Sequence, residues 1–245
     1  MSIWGRIIGG ATGFALGGPL GGILGVIAGS AFDKRRRSSF NFTHITQDQK
    51  QQIFTLSLIT LSSKLAKSDG QVTSDAINAF KEKFRIPKKE IPKISKIFNE
   101  AKKNVYGYKQ IADQVGIIFA DNKIILEELL NNLFYIAASD GKVSLNEVEM
   151  LKSISQSFKF SKKDFQKIFQ TNIKNKQADP YKILGVTRDD DDTTIRKEWI
   201  KLNKEHHPDN LTAKGMPKEF INLANDELAS INLAYDKIKE MRENI

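Results

Sequence analysis

The sequence contains no cysteine. That excludes disulfide scaffolds, thiolate zinc sites, iron–sulfur clusters and cysteine nucleophiles, and it suits a reducing compartment. Histidine is nearly as scarce. His44, His206 and His207 are the only three in 245 residues, too few for a multi-histidine metal centre. Neither a metal nor a cofactor is expected. Clean apolar–polar alternation is also missing, so strands are not expected and the chain reads as all-α. With 40% of its residues hydrophobic, it is not a disordered tail.

Charge is absent from one long stretch. Residues 7–32, between Arg6 and Asp33, are 26 uncharged positions in a row. As a helix at ~1.5 Å per residue they cover roughly 39 Å, enough to cross a hydrocarbon core of ~30 Å. Gly5, Gly9, Gly13, Gly17, Gly21, Gly25 and Gly29 recur at every fourth position. Such a row is unfavourable for a helix in water, but in lipid it makes a face on which a second helix can pack closely. A cleaved signal peptide carries its basic residues ahead of the apolar core, whereas Lys34, Arg35, Arg36 and Arg37 follow it here. The expectation is a retained, single-pass transmembrane helix in the plasma (inner) membrane. Its N-terminus lies outside, the bulk of the chain is cytoplasmic, and the glycine face forms a homodimer in the bilayer. Pro19 kinks this helix or turns it back as a hairpin; the single crossing is preferred because each half alone is too short to span.

From Asp48 to about Phe169 the apolar residues keep a helical period, which predicts a bundle of six or seven helices. An internal repeat lies within it: Ser68-Asp69-Gly70-Gln71-Val72-Thr73 recurs as Ser139-Asp140-Gly141-Lys142-Val143-Ser144. Each copy reads as a helix end, a glycine in a left-handed turn and a Thr or Ser N-cap. Glu147, three residues after Ser144, completes a capping box. Asp-Gly-x-Val-x-x-x-Glu also imitates the later half of a calcium loop. That alignment puts Ile136 and Ala138 where oxygen ligands belong, and the first copy has Ala76 in place of the bidentate glutamate, so the turn reading stands. Paired halves with this signature resemble the TerB-like domain, a small helical module. Some of its relatives bind divalent metal through acidic residues, but those positions have no match here. The segment's net charge of +8 over residues 38–178 invites a nucleic-acid reading. Its lysines are scattered among acids without interleaved aromatics, and no nucleic-acid partner is expected.

Residues 179–245 carry −3 in contrast. Asp179-Pro180-Tyr181-Lys182-Ile183-Leu184-Gly185 reads as a short helix with an Asp cap, a Pro at its first position and a Gly stop. A second helix spans about residues 193–206. Ile195, Trp199, Leu202 and His206 share one face; Arg196, Lys197, Lys201 and Lys204 gather on the opposite one. Pro208 then stops the helix, so that His207, Pro208 and Asp209 project from a constrained loop. A third helix follows from about Lys218 to Arg242. This arrangement resembles the J-domain of DnaJ-type co-chaperones. The extended loop within Glu205-His206-His207-Pro208-Asp209-Asn210-Leu211-Thr212-Ala213-Lys214-Gly215-Met216-Pro217, the start Trp4-Gly5-Arg6-Ile7-Ile8-Gly9 and Phe32-Asp33-Lys34 narrow the resemblance to the DjlA branch of that family.

The resemblance implies a co-chaperone that docks on a DnaK-type chaperone ATPase and stimulates its ATP hydrolysis. His207, Pro208 and Asp209 match the signature; Arg196, Lys197 and Lys201 match the basic docking positions, and Lys204 lies on the same face. Ile200 and Glu205 depart from the cations frequent at those places. No catalytic residue of its own is implied. The expected division is an anchor at 1–37, a linker at 38–47, a TerB-like domain at 48–170, a linker at 171–178 and a J-domain at 179–245. The rivals are a membrane interaction scaffold and a metal-responsive stress protein, each acting through the TerB-like domain.

Overall fold

The computed structural model describes residues 2–7, 21, 45–68, 74–103, 107–141, 143–172 and 179–243. Every regular element among them is helical. After α1 (Ile3–Arg6) come α2 (Gln47–Lys67), α3 (Ser74–Lys83), α4 (Ile91–Ala101), α5 (Tyr108–Ile118), α6 (Lys123–Ala137), α7 (Leu145–Ser157) and α8 (Lys162–Asn172). The C-terminal part adds α9 (Pro180–Leu184), α10 (Asp192–Glu205), α11 (Pro208–Lys214) and α12 (Ile221–Glu243).

α2 is the axis of the bundle. From Ile53 to Leu65 it is buried on every side, serines and threonines included. A helix sealed all round must lie in the core, with other helices surrounding it; α4, α5 and α6 pack against it. Its small polar residues let neighbours approach closely, and the Ser63 hydroxyl donates to the Phe98 carbonyl at 2.6 Å. Thr46 caps α2 by accepting from the Gln49 backbone, while the Gln49 side chain accepts from Thr46 N–H, so the expected linker already ends in a capping box. The second repeat copy has the expected turn. Gly141 is left-handed at φ +92°, Ser144 accepts from Glu147 N–H, and Glu147 accepts from Ser144 N–H. Residues 69–73 of the first copy lie outside the described residues.

The apolar side chains form two clusters. The smaller belongs to the C-terminal helices and holds Tyr181, Leu184, Ile195, Leu202, Ile231, Ala234 and Ile238. The larger fills the bundle, but also takes in Leu211, Met216, Phe220 and Ala224 from the C-terminal part and Ile3, Trp4 and Ile7 from α1. Phe220 has its ring centroid 5.5 Å from Trp4, 5.3 Å from Phe54 and 4.9 Å from Phe84. The expected extended loop therefore holds a helix, α11, and is inserted into the bundle, while the expected start of the third helix, Lys218–Phe220, is a 3-10 turn.

This packing corrects the membrane expectations. Among the described residues no helix is long and apolar enough to cross a membrane. Ile3, Trp4 and Ile7 precede or open the expected span, yet they are buried in one core with residues far beyond it. The Ile3 N–H donates to Glu219 at 2.8 Å, and Arg6 pairs with Asp48. An N-terminus on one side of a bilayer and the bulk of the chain on the other is incompatible with those contacts. The single-pass helix, the bilayer as partner, the inner-membrane topology and the glycine-face homodimer that rest on it are withdrawn. Gly5 faces this chain's own Glu90, whose Oε1 would lie 3.5 Å from an added Cβ. Gly9, Gly13, Gly17, Gly25 and Gly29 lie outside the described residues, and Gly21 is described only as helical.

Candidate functional site

The C-terminal helices are set by local chemistry. Asp179 caps α9 through Tyr181 N–H, Pro180 occupies the first turn, and Gly185 ends the helix at φ +75°. Asp191 caps α10 by accepting from Thr194 N–H at 2.7 Å. That hydrogen bond holds the Asp191 carboxyl below its usual range, although the group is fully exposed. Arg242, near the end of α12, clamps this junction. Its guanidinium donates to Asp192 at 2.7 Å and to the carbonyls of Arg188 and Asp190.

α10 divides as its sequence predicts. Ile195 and Leu202 are buried, and Trp199 stacks on Tyr235 with ring centroids 4.4 Å apart. The Trp199 indole N–H donates to Asn232 at 2.8 Å, which fixes α10 against α12. Arg196, Lys197, Lys201 and Lys204 are all exposed, with Ile200 among them, half exposed at 50%. Lys201 pairs with Glu198 at 2.9 Å, and that hydrogen bond raises its pKa. Lys201 also borders a cleft of about 940 Å³ between α10 and the α6–α8 side of the bundle.

His207, Pro208 and Asp209 are placed together at the exposed end of α10. They are not a free loop: His207 is the N-cap of α11, its Nδ1 accepting from Asp209 N–H at 3.3 Å, and Pro208 begins the helix. Proline is suited to that first turn because no partner is required for its missing N–H. Asn210 ties the turn back to α10 by donating to the carbonyls of Lys204 and Glu205. The signature stays open, the side chains of His207 and Asp209 being 59% and 96% exposed.

Sequence reasoning missed the role of the residue just before the signature. His206 is fully buried at the seam between the bundle and α12. Its Nδ1 lies 3.0 Å from Glu128 on α6 and 3.5 Å from Glu227 on α12. Asn131 donates to Glu227, and Asn172 donates to Asn131 at 2.7 Å. Burial pulls the imidazole pKa down, but Glu227 and then Glu128 outweigh it and raise it well above the ordinary histidine value. Burial pushes Glu227 up, yet His206 overcomes this and holds it low. Glu128, opposed first by burial and then by the charge on Glu227, is pushed up to about 8. His206 and the two carboxyls therefore titrate as one group, with the imidazole pushed toward its charged form and Glu128 toward its neutral one. Glu128 Oε2 is buried without a hydrogen-bond partner, which favours the neutral acid further. The one signal available in the sequence was a histidine on the apolar face of α10.

Among the described residues, Glu127, His206 and Glu227 form one group whose ligand atoms come within 4.8 Å of one another. Lys167 pairs with Glu127 at 3.4 Å, and His206, whose pKa is raised, lies 3.5 Å from Glu227. The charges therefore balance without a cation, and the cluster is better suited to holding protons than a metal.

The family model described as DnaJ domain matches residues 179–240, Tellurite resistance protein TerB matches 55–170, and Co-chaperone DjlA transmembrane domain matches 1–39. Of the last stretch, the described part is essentially α1, seated in the core. Helices and matches together define the class: a J-domain protein with a TerB-like domain ahead of the J-domain. The chain is 30% identical to Co-chaperone protein DjlA of Vibrio vulnificus over 98% of either chain. It is 29% identical to that of Shewanella oneidensis over 99% of either, and 28% identical to that of Photobacterium profundum over 97% of this chain and 98% of the relative. The chain belongs to the DjlA co-chaperone family. As such it is an activator of a partner ATPase and not itself an enzyme. No solved structure matches it.

Proposed function

We propose that the chain docks on a DnaK-type chaperone through His207, Pro208 and Asp209 together with Arg196, Lys197, Lys201 and Lys204, and stimulates ATP hydrolysis in that partner. The observation that carries this reading is the pairing of an exposed Asp209 with four exposed cations on the adjoining helix, while Ile195, Trp199 and Leu202 on its other face are committed to packing. Cations on one face steer an acidic partner and raise the rate of encounter. The aspartate acts at the other end of the same surface, where the chain reverses. Residues 48–170 serve as the helical body that carries this J-domain, and residues 179–245 form the docking unit.

Steady-state ATP turnover by a DnaK-type chaperone, with and without the full chain, tests the reading. Stimulation by the unmodified chain and its loss in Asp209→Asn support it. Equal stimulation by both, or none by either, overturns it.

A further inference from the structure

Building on the co-chaperone reading, we propose that the helical domain positions the docking signature: Glu128 on α6, acting through His206, sets the orientation in which α10 and α11 present His207, Pro208 and Asp209. His206 immediately precedes the signature, and Leu211 follows it by two residues. Both are fully buried against the bundle. The exposed signature is thus a short span held at each end by the other domain.

The hold on the downstream end is extensive. Gln47, the first residue of α2, donates through Nε2 to the carbonyls of Thr212 and Ala213 at 2.7 and 3.1 Å, capping the C-terminus of α11 from outside. Gly215 turns the chain at φ +113°, where an added Cβ would lie 3.2 Å from Lys50. Met216 and Phe220 then enter the large core. Upstream, the hold is polar and directional. Glu127 and Glu128 face His206 from α6, Glu227 from α12 and Lys167 from α8, while Lys201, Glu198 and Glu205 lie nearby on α10 itself. Apolar burial would keep α10 against the bundle in many orientations; a buried imidazole between two carboxylates admits few. Glu128 does not belong to the exposed docking surface, so it is a positioning residue.

The test uses the full chain and the chaperone ATPase. Glu128→Ala should lower maximal stimulation about tenfold while the half-saturating concentration changes less than about twofold, because the cations that govern encounter remain in place. Between about pH 7 and about pH 9, stimulation by the unmodified chain relative to the chaperone alone should fall as Glu128 loses its proton. Glu128→Gln has no proton to lose, so its profile should be flatter. A bystander role would leave both profiles alike. Full stimulation by folded Glu128→Ala, or a Glu128→Gln profile matching the unmodified one, overturns the proposal. If Glu128→Ala does not fold by circular dichroism, the Glu128→Gln profile decides alone. Asp209→Asn is run in parallel: its failure to stimulate beside unaltered Glu128 variants removes only the positioning role, whereas an unmodified chain without effect removes the co-chaperone reading itself.

Discussion

Asp209 is almost wholly exposed, and its carboxylate makes no hydrogen bond among the described residues shorter than its 3.9 Å approach to His207. Its conversion to asparagine should therefore leave the melting temperature nearly unchanged while abolishing ATPase stimulation, an outcome checked by a thermal melt beside the turnover assay. Gly116 offers the opposite case. In a helix interior, alanine normally gains about 1 kcal/mol over glycine. Here an added Cβ would stand 2.6 Å from the Ser157 carbonyl oxygen, a backbone atom that cannot rotate away. Gly116→Ala should accordingly lose stability, by about 1–3 kcal/mol, on denaturant titration. Ile200 was recognisable from sequence as a departure within the basic arc, and it is half exposed there. That His206 lies on the apolar face of α10 was recognisable, but its partner was not, since Glu128 lies 78 positions away in the chain.

At the scale of elements, the caps are where local sequence and structure agree most closely. Ser144 and Glu147 form the reciprocal box at the start of α7, and Ser144→Ala should cost about 1 kcal/mol on chemical unfolding. On α10 the cations are not equivalent. Lys201 is partly neutralised by Glu198, whereas Lys197 makes no ion pair within 4.0 Å among the described residues. Lys197→Ala should therefore weaken chaperone binding more than Lys201→Ala. The difference should be largest at low salt, where the screening length exceeds about 10 Å, as isothermal titration across a salt series would read out.

The whole molecule is governed by the seam between bundle and J-domain. Phe220 lies among Trp4, Phe54 and Phe84 rather than in the J-domain's own cluster. Phe220→Ala should cost about 3–5 kcal/mol. Because Tyr181, Ile195, Leu202 and Ile238 keep their own core, the loss should split a single calorimetric transition into two. The polar part of the seam has a defined pH window. Glu128 rises from 4.5 to about 8 on burial, so the docked state retains a proton that the separated state releases. Its favourable contribution fades as pH climbs from 4.5 through about 8. His206, raised above 6.5, acts in the same direction: its support is complete below 6.5 and is lost as pH rises through its higher docked value. Glu227, lowered from 4.5, supports docking above 4.5 and loses that support as pH falls through its docked value. The seam should be tightest near pH 4.5, loosen as Glu128's support fades above that, and loosen more steeply above 6.5 where His206 adds to the loss. Emission from Trp4, which touches Phe220, followed against pH in a Trp199→Phe background, would report it.

Helical period, caps and the His-Pro-Asp signature were legible in the sequence because each depends on residues within a turn or two of one another. Asp179, Pro180 and Gly185 specify α9 by themselves, and the spacing of Ile195, Trp199 and Leu202 from Arg196, Lys197, Lys201 and Lys204 specifies the two faces of α10. What tertiary structure alone decided was where the uncommitted apolar and ionisable groups would go. Ile3, Trp4 and Ile7 suit a membrane span or a protein core equally well by composition, since lipid and a packed interior both reward the loss of water from apolar surface. Only the aromatic pocket formed by Phe80, Phe84 and Phe220 selects the core. Leu211 and Met216 likewise read as a polar loop's occasional apolar residues until the bundle's core takes them in. His206 carries the same lesson for charge. A buried ionisable side chain has its protonation set by the groups brought within a few ångströms of it, and those came from α6 and α12, which no local pattern connects to the signature.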